Sequence, residues 1–486
     1  MYLGIDIGTS EVKTLLLDNT HHVIAVAGAA LEVSRPHPGH SEQDPQSWWN
    51  ATRSALATLS SQHPESYAKI SAIGLSGQMH GAVLLDEDDA VLRPAILWND
   101  VRSAQECLEM MAALPGLPQL AGSLAMPGFT APKLQWVEKY EPHIFAKVAK
   151  VLLPKDYLRL LLTGEHVSDM SDASGTMWLD VANRQWSPEL LALTRLDESR
   201  MPRLVEGSAA SGVLSASAAE SLGLRAGILV AGGAGDNASS AIGMGAVEAG
   251  EGFLSLGTSG VLFVVTPSYQ PNAASATHAF CHAIPNRWHQ MSVMLSAASC
   301  LQWAASALGM ESAGALEAKA SQLSDANRAE APIFLPYLSG ERTPHNDAQV
   351  RGSFHGLGNS TDQAALAYAV IEGVTFGLTD GLNALKQAGS SVTRLSLVGG
   401  GARSAFWAQQ LASSLDVAIV THPESTAGGA LGAARLGWLA TGTPMEQVCI
   451  KPQVDKIYMP DAAEQRLLAP RYERFKALYK ALKSIQ

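Results

Sequence analysis

Asp6-Ile7-Gly8-Thr9-Ser10 sets a carboxylate, a glycine and two hydroxyls near the start of the chain, and Lys13 follows closely. A turn of this composition offers backbone N–H groups and hydroxyl donors to phosphate oxygens, and Gly8 lets the backbone approach closely. Asp6 ends an apolar run and is suited to Mg²⁺, held directly or through water, because hard cations take carboxylate oxygen. Gly257-Thr258-Ser259 repeats the turn in the second half, with Ser255 where Asp6 stands in the first. The two turns are therefore unequal. One can serve a metal, while the other can only donate hydrogen bonds. Either alone is what an ordinary hairpin contains, so the inference rests on the pair.

Asp236-Asn237 follows the apolar Leu229-Val230-Ala231 and the break Gly232 to Gly235. A carboxylate at a strand end beside a domain junction is a candidate general base. The competing reading is a helix N-cap, since Asp and Asn favour that position. Gln78-Met79-His80, between Gly77 and Gly81, offers a hydrogen-bonding imidazole and an adaptable apolar wall. A lone His after a strand is more often structural than a ligand. Leu397-Val398-Gly399-Gly400-Gly401-Ala402-Arg403-Ser404 runs from a strand through three glycines toward a helix, an arrangement that suits a nucleotide at a helix N-terminus. Its last glycine position carries Ser404, and no Gly-Lys dipeptide exists for a Walker A loop. His278-Ala279-Phe280-Cys281-His282 fits no zinc spacing and reads as buried strand.

Those residues need a scaffold, and 486 residues predict two domains. Hydrophobic residues at 47% and charged residues at 16% describe a well-buried globular chain. A formal net charge of −11 without a basic run gives a poor grip on a polynucleotide, so no nucleic acid partner is expected. Cys107, Cys281, Cys300 and Cys449 lie far apart, as in a reduced protein. The chain enters a strand at Tyr2, so no leader peptide is expected, and no uninterrupted apolar segment suggests a membrane span. A cytoplasmic location follows as the expectation.

The internal echo predicts the architecture. Each Gly-Thr-Ser turn lies between two apolar runs, a hairpin pattern, and the copies are about half the chain apart. A duplicated fold explains this, with a boundary near residue 246. Ile70–Leu75 and Leu395–Val398 read as strands. The segments after Asp44-Pro45 and after Ser404 read as helices, the first with Asp at the N-cap and Pro at N1. Trp48 and Trp49 are then helix packing, and the loop from Pro36 to Asp44 is a candidate wall of the pocket. The pattern is α/β with mixed sheets in both halves.

The paired hairpins, the central Gly-Asp-Asn and the late Gly-Gly-Gly-Ala-Arg-Ser resemble the FGGY carbohydrate kinases of the actin-like ATPase superfamily. Gly128 to Val137 is similar to that family's first signature. Gly352 to Leu357, leading to Ala369-Val370-Ile371-Glu372, is similar to its second, with departures at Tyr140 and Ala365. The resemblance spans nearly the whole chain. It implies two actin-like (ribonuclease H-like) domains, 1–245 for sugar and catalysis and 246–486 for nucleotide, with a cleft between them. It implies ATP as donor, Mg²⁺, a small-molecule sugar as acceptor, and no nucleic acid or membrane partner; a homodimer is among the assemblies it allows. By the same resemblance Asp236 is the catalytic base and Asp6 the metal-side carboxylate. Gly8, Thr9, Ser10, Lys13, Gly257 and Thr258 fall near the phosphates, and Gly400, Gly401 and Ser404 near the adenosine. Met79, His80, Asp236 and Asn237 fall around the sugar. Ser76 to Gly81, Ile96 to Asp100 and Leu335 to Pro344 are most similar to the branch acting on D-xylulose. The alternatives are another ketopentose or polyol (ribulose, ribitol, gluconate) or a regulatory ATPase of the superfamily. A dinucleotide oxidoreductase is disfavoured by the late, imperfect glycine motif.

Overall fold

The computed structural model describes residues 1–423 and 428–484. The first sheet comprises β1 (Tyr2–Ile7), β2 (Glu11–Leu17), β3 (Val23–Ala30), β4 (Ala72–Gly77), β5 (Ala210–Val213) and β6 (Leu229–Ala231), ordered β5-β6-β4-β1-β2-β3. A short extension, β7 (Ala234–Gly235), runs parallel to the end of β4. The second comprises β8 (Gly252–Leu256), β9 (Gly260–Thr266), β10 (His278–Cys281), β11 (Trp288–Met294), β12 (Arg394–Val398), β13 (Ala418–Thr421) and β14 (Lys456–Tyr458). Its order is β10-β11-β9-β8-β12-β13-β14.

The two sheets repeat one pairing scheme. β1 pairs antiparallel with β2 and parallel with β4, as β8 does with β9 and β12. β2 pairs antiparallel with β3, and β9 with β11. β4 pairs parallel with β6, and β12 with β13. The Gly-Thr-Ser turns close equivalent hairpins, so the echo in the sequence is an echo in the fold.

Apolar faces on both sheets are covered by helices, because each sheet is buried on both sides. In the first half, α1 (Pro45–Gln62) starts at an Asp44 N-cap with Pro45 at its first position, and Trp48 is fully buried, its Nε1 donating to Gln43 Oε1 at 3.0 Å. α2 (Pro154–Thr163) packs on β4, and α3 (Asp236–Gly243) follows β7. In the second half, α4 (Ala298–Ala307), α5 (Gln363–Gln387) and α6 (Ala405–Leu415) surround one core with β8 and β12. α5 is long and apolar enough to cross a membrane by composition, but 83% of that stretch is buried inside the protein. It is the core helix of the second half.

The two halves are joined by an exchange. α7 (Gly428–Leu439) belongs to the second half in sequence yet lies on β1 and β4 of the first sheet. Gly4 and Gly74 are cross-strand partners, and α7 sits against their bare backbone: a Cβ there would fall 1.9 Å and 1.7 Å from the carbonyls of Ala430 and Ala433. α3 and α7 cross with equal intimacy, since a Cβ on Gly432 would lie 1.7 Å from Ser239 O. Arg435 caps this joint, donating to the C-terminal carbonyls of Ile242 and Gly243 at 3.0 and 2.9 Å. Such close crossing packs α7 of the second half firmly against α3 and the first sheet.

Candidate active site

Three parallel strand ends of the first sheet converge on one point. Asp6 in β1 is the partner of Ser76 in β4, and Ser76 is the partner of Ala234 in β7. Asp6, the loop Gln78-Met79-His80 and Asp236 are therefore carried to the same edge, the carboxyl ends of the strands, where open α/β sheets take ligands.

Asp236 is not the N-cap of α3. Gly235 holds that position, and Asp236 is the first helical residue with no capping bond of its own. Its Oδ1 accepts from the Asn237 backbone N–H at 2.7 Å and from Asn237 Nδ2 at 2.9 Å. Oδ2 has no hydrogen bond among the described residues, so one oxygen is fixed and the other is free for chemistry. Burial, reinforced by the negative charge of Asp6, pushes the Asp236 carboxyl up to about 6. The site of Gly235 is itself braced, its N–H donating to Ser171 Oγ at 3.2 Å while Ser171 Oγ donates to Asp169 at 2.5 Å. Behind it lies fully buried Lys155, 3.0 Å from Asp169 and 3.4 Å from Asp172.

Asp6 is raised above the usual carboxylate range by burial, with the Ser76 hydroxyl and the Lys13 ammonium pulling the other way. Asp6 Oδ1 and Ser76 Oγ are buried without a hydrogen-bond partner among the described residues. An orphaned carboxylate oxygen facing a second carboxylate is a donor set that fits Mg²⁺, whose preference is for charged oxygen. Lys13 is the cross-strand partner of Asp6 and shares its face of the sheet. Its ammonium lies 3.8 Å from Glu11, and the side chain is partly exposed.

His80 has a left-handed backbone (φ 71°). Nδ1 lies 2.7 Å from Gly175 O. A carbonyl can only accept, so Nδ1 carries the proton and Nε2 is the acceptor. Burial lowers the imidazole to about 3, so it stays neutral throughout the physiological range. Phe129 packs on the ring at 4.4 Å, and the His80 carbonyl receives Lys133 Nζ at 2.8 Å. Met79 is buried beneath this pair and fills the space beside Gly175 and Gly235.

The hairpin turns present different faces. The Thr9 hydroxyl donates to Gln78 Oε1 at 3.0 Å and accepts from Trp98 Nε1 at 2.9 Å, which ties the first turn to the Gln78-Met79-His80 loop. Ser10 is exposed beyond it. The loop from Pro36 to Asp44 reaches the same region from the side, with Gln43 Nε2 donating to Thr9 O at 2.7 Å. In the second half Gly257 and Thr258 present their carbonyls to the N-terminus of α4, leaving the Thr258 side chain exposed. Thr258 borders a hollow of about 680 Å³ lined by Ser299, Gln302, Trp303, Ser306 and Ala307.

Gly399 adopts φ 88°, and a Cβ there would strike Leu256 O at 2.6 Å, so only glycine can bring β12 into the turn Gly400–Arg403. Because β8 and β12 are neighbours, that turn and Gly257 stand side by side. Ser404 is the N-cap of α6, accepting from Trp407 N at 2.9 Å and donating to Glu317. These bonds fix the Ser404 hydroxyl at the start of α6, directly after the turn of Gly400 and Gly401. His278 and His282 are buried, His278 in β10 and bonded to Ser123 Oγ at 2.8 Å.

No local pattern marks Ser171 or Lys155, and Ser76 stands out only within the stretch Ser76 to Gly81, because their placement depends on strand register and long-range packing. Arg342 lies within Leu335 to Pro344, where no neighbouring residue distinguishes it.

Comparisons with known proteins identify the family of the chain. Residues 1–243 match the N-terminal domain, and residues 252–441 the C-terminal domain, of the FGGY family of carbohydrate kinases. The chain is 50% identical over 484 residues to the xylulose kinase of Escherichia coli, covering 99% of each chain. It is 47% identical over 488 residues to that of Klebsiella pneumoniae, covering 100% of each. The solved xylulose kinase of Rhodospirillum rubrum superposes with a TM-score of 0.92 at 30% identity, over 100% of this chain and 99% of that one. The protein is a member of the FGGY family of carbohydrate kinases, built on the two-domain actin-like fold.

Proposed function

We propose that the protein transfers the γ-phosphoryl group of ATP to the terminal 5-hydroxyl of D-xylulose, with Asp236 as general base. The observation that carries the reading is the Asp236 carboxylate, anchored through Oδ1 by Asn237, open at Oδ2, and raised to about 6 between Asp6 and the Met79–His80 loop. D-xylulose as acceptor is supported by the 50% and 47% identical relatives, both xylulose kinases over their full length.

A sugar hydroxyl is too weak an acid to ionise before it attacks, so its proton must leave as the oxygen–phosphorus bond forms. Asp236 receives that proton at Oδ2 while the β–γ bridging oxygen leaves with ADP. A carboxyl near 6 is ionised at neutral pH yet holds a proton better than an ordinary aspartate, which suits a base. Neutral His80 accepts a sugar hydroxyl at Nε2, Asn237 holds the base, and Met79 lies against the carbon face.

The triphosphate lies between the two hairpin turns, Gly8-Thr9-Ser10 with Lys13 on one side and Gly257-Thr258 with Gly400 and Gly401 on the other. Asp6 would hold Mg²⁺ through its unpartnered oxygen, and the bound cation supplies neutralisation of phosphate charge. The four cysteines are free and buried, in keeping with a reducing cytoplasm. D-xylulose-dependent release of ADP from MgATP tests the reading. Strong activity that disappears in Asp236→Asn supports it, and ADP release indifferent to sugar refutes it.

A further inference from the structure

Among the described residues, the guanidinium of Arg342 has no hydrogen bond and no ion pair, although the residue is only partly exposed. The backbone around it is firmly held. Glu341 accepts from Leu295 N at 3.0 Å and Arg342 N at 2.7 Å. Thr343 N donates to Val293 O at 3.1 Å, and Thr343 Oγ1 donates to Ala276 O at 2.9 Å. These bonds fix the segment against β11 and the entry to β10, two residues from His278. The ring of His278 meets Phe129 at 5.7 Å, and Phe129 meets His80 at 4.4 Å. Arg342 is close enough that its positive charge opposes protonation of both His80 and His278. A held backbone carrying an unpaired guanidinium leaves its N–H groups available to a partner from outside the protein.

We infer that Arg342 is a specificity-determining residue that reaches from the second domain to the end of the sugar remote from Asp236, where its N–H groups donate to the ketone oxygen and adjacent hydroxyl. This rests on the reading that Asp236 deprotonates the terminal hydroxyl of a ketopentose, which leaves the C1–C2 hydroxyketone on the His80 side. Donor and acceptor are complementary there. Arg342 can only donate, and the ketone oxygen can only accept. His80 Nε2 accepts, and a hydroxyl supplies the proton. Glu341, adjacent in the chain, is pushed up to about 8 by burial and has an oxygen held by Leu295 N and Arg342 N, so it leaves the guanidinium unpaired. Because Arg342 is anchored in the second domain and His80 in the first, the sugar itself bridges the cleft.

The test is kcat and KM for D-xylulose against xylitol and D-arabinitol, its two C2-reduced forms, and gluconate, in wild type, Arg342→Gln and Arg342→Lys. Wild type should prefer D-xylulose over both alditols by about 10²-fold in kcat/KM. Arg342→Gln should raise KM for D-xylulose about 10- to 100-fold and reduce that preference below about tenfold, with Arg342→Lys between. Calorimetric titration of D-xylulose into folded Arg342→Gln should show the same weakening without nucleotide. A ketose-to-alditol ratio unchanged in both variants overturns the inference while leaving the kinase reading standing. A loss shared equally by ketose and alditols also overturns it, and wild-type preference for gluconate would do so by making the carboxylate the partner. Failure of wild type to phosphorylate D-xylulose would instead refute the proposed function itself.

Discussion

Asn237 grips Asp236 twice, through its backbone N–H at 2.7 Å and its side-chain amide at 2.9 Å, both on the same carboxylate oxygen. The carboxylate is thereby oriented without its second oxygen being used. Replacing Asp236 by Asn should lower kcat about 10²- to 10⁴-fold, with nucleotide affinity little changed. Steady-state kinetics beside calorimetric ADP binding check this. Near-wild-type kcat in the Asn variant would reduce Asp236 to a structural residue.

The pH dependence follows from the same pair of carboxylates. With Asp236 near 6, kcat/KM should be level above that value and fall about tenfold per unit below it, as protonation removes the base. Asp6 contributes to the elevation, so Asp6→Asn should bring the Asp236 carboxyl back toward the ordinary aspartate range. Carbon-detected NMR titration of the metal-free variant reads this directly. An Asp236 titration unmoved or moved upward would contradict the electrostatic coupling.

The two hairpins divide their labour. Asp6→Ala should weaken use of MgATP and steepen the Mg²⁺ requirement far more than it affects sugar binding. Ser255→Ala, at the equivalent position of the second hairpin, should leave the Mg²⁺ dependence unchanged. Equal effects in the two variants would remove the asymmetry on which the metal assignment stands.

The α3–α7 crossing is a packing prediction. Gly432→Ala places a methyl 1.7 Å from the Ser239 carbonyl, a backbone atom that cannot swing away. Loss of at least about 2 kcal/mol is expected, seen as a lowered thermal midpoint and reduced soluble yield. Gly358→Ala, where a Cβ meets nothing within 4 Å among the described residues and φ is not positive, should be neutral within about 0.5 kcal/mol. Equal stability of the two variants would mean that α3 and α7 separate freely.

What could be read in the sequence was local. Glycine and hydroxyl residues between two apolar runs reveal hairpins, and Asp44-Pro45 reveals the start of α1, because turn and cap chemistry depends on immediate neighbours. The halves echo each other because the turns of both sheets are made of the same residues. The position of α7 was hidden. Its contact with β1 and β4 depends on Gly4 and Gly74 being register partners, which no local pattern specifies. The N-cap reading of Asp236 was wrong by one residue, since Gly235 fills that position and Asp236 begins the helix. Lys155 illustrates a second limit. From sequence it is an ordinary charge at a helix start, and only the fold encloses it with Asp156, Asp169 and Asp172.

Asp236 as base and the Met79–His80 loop as sugar contact are proposed to form one site. Side-by-side kcat/KM values with MgATP for D-xylulose, D- and L-ribulose, L-xylulose, gluconate and glycerol test it most directly. D-xylulose should lead, with glycerol lowest because it cannot span from Asp236 to His80. Another sugar exceeding D-xylulose by more than about tenfold would leave a carbohydrate kinase whose pocket was built for a different substrate.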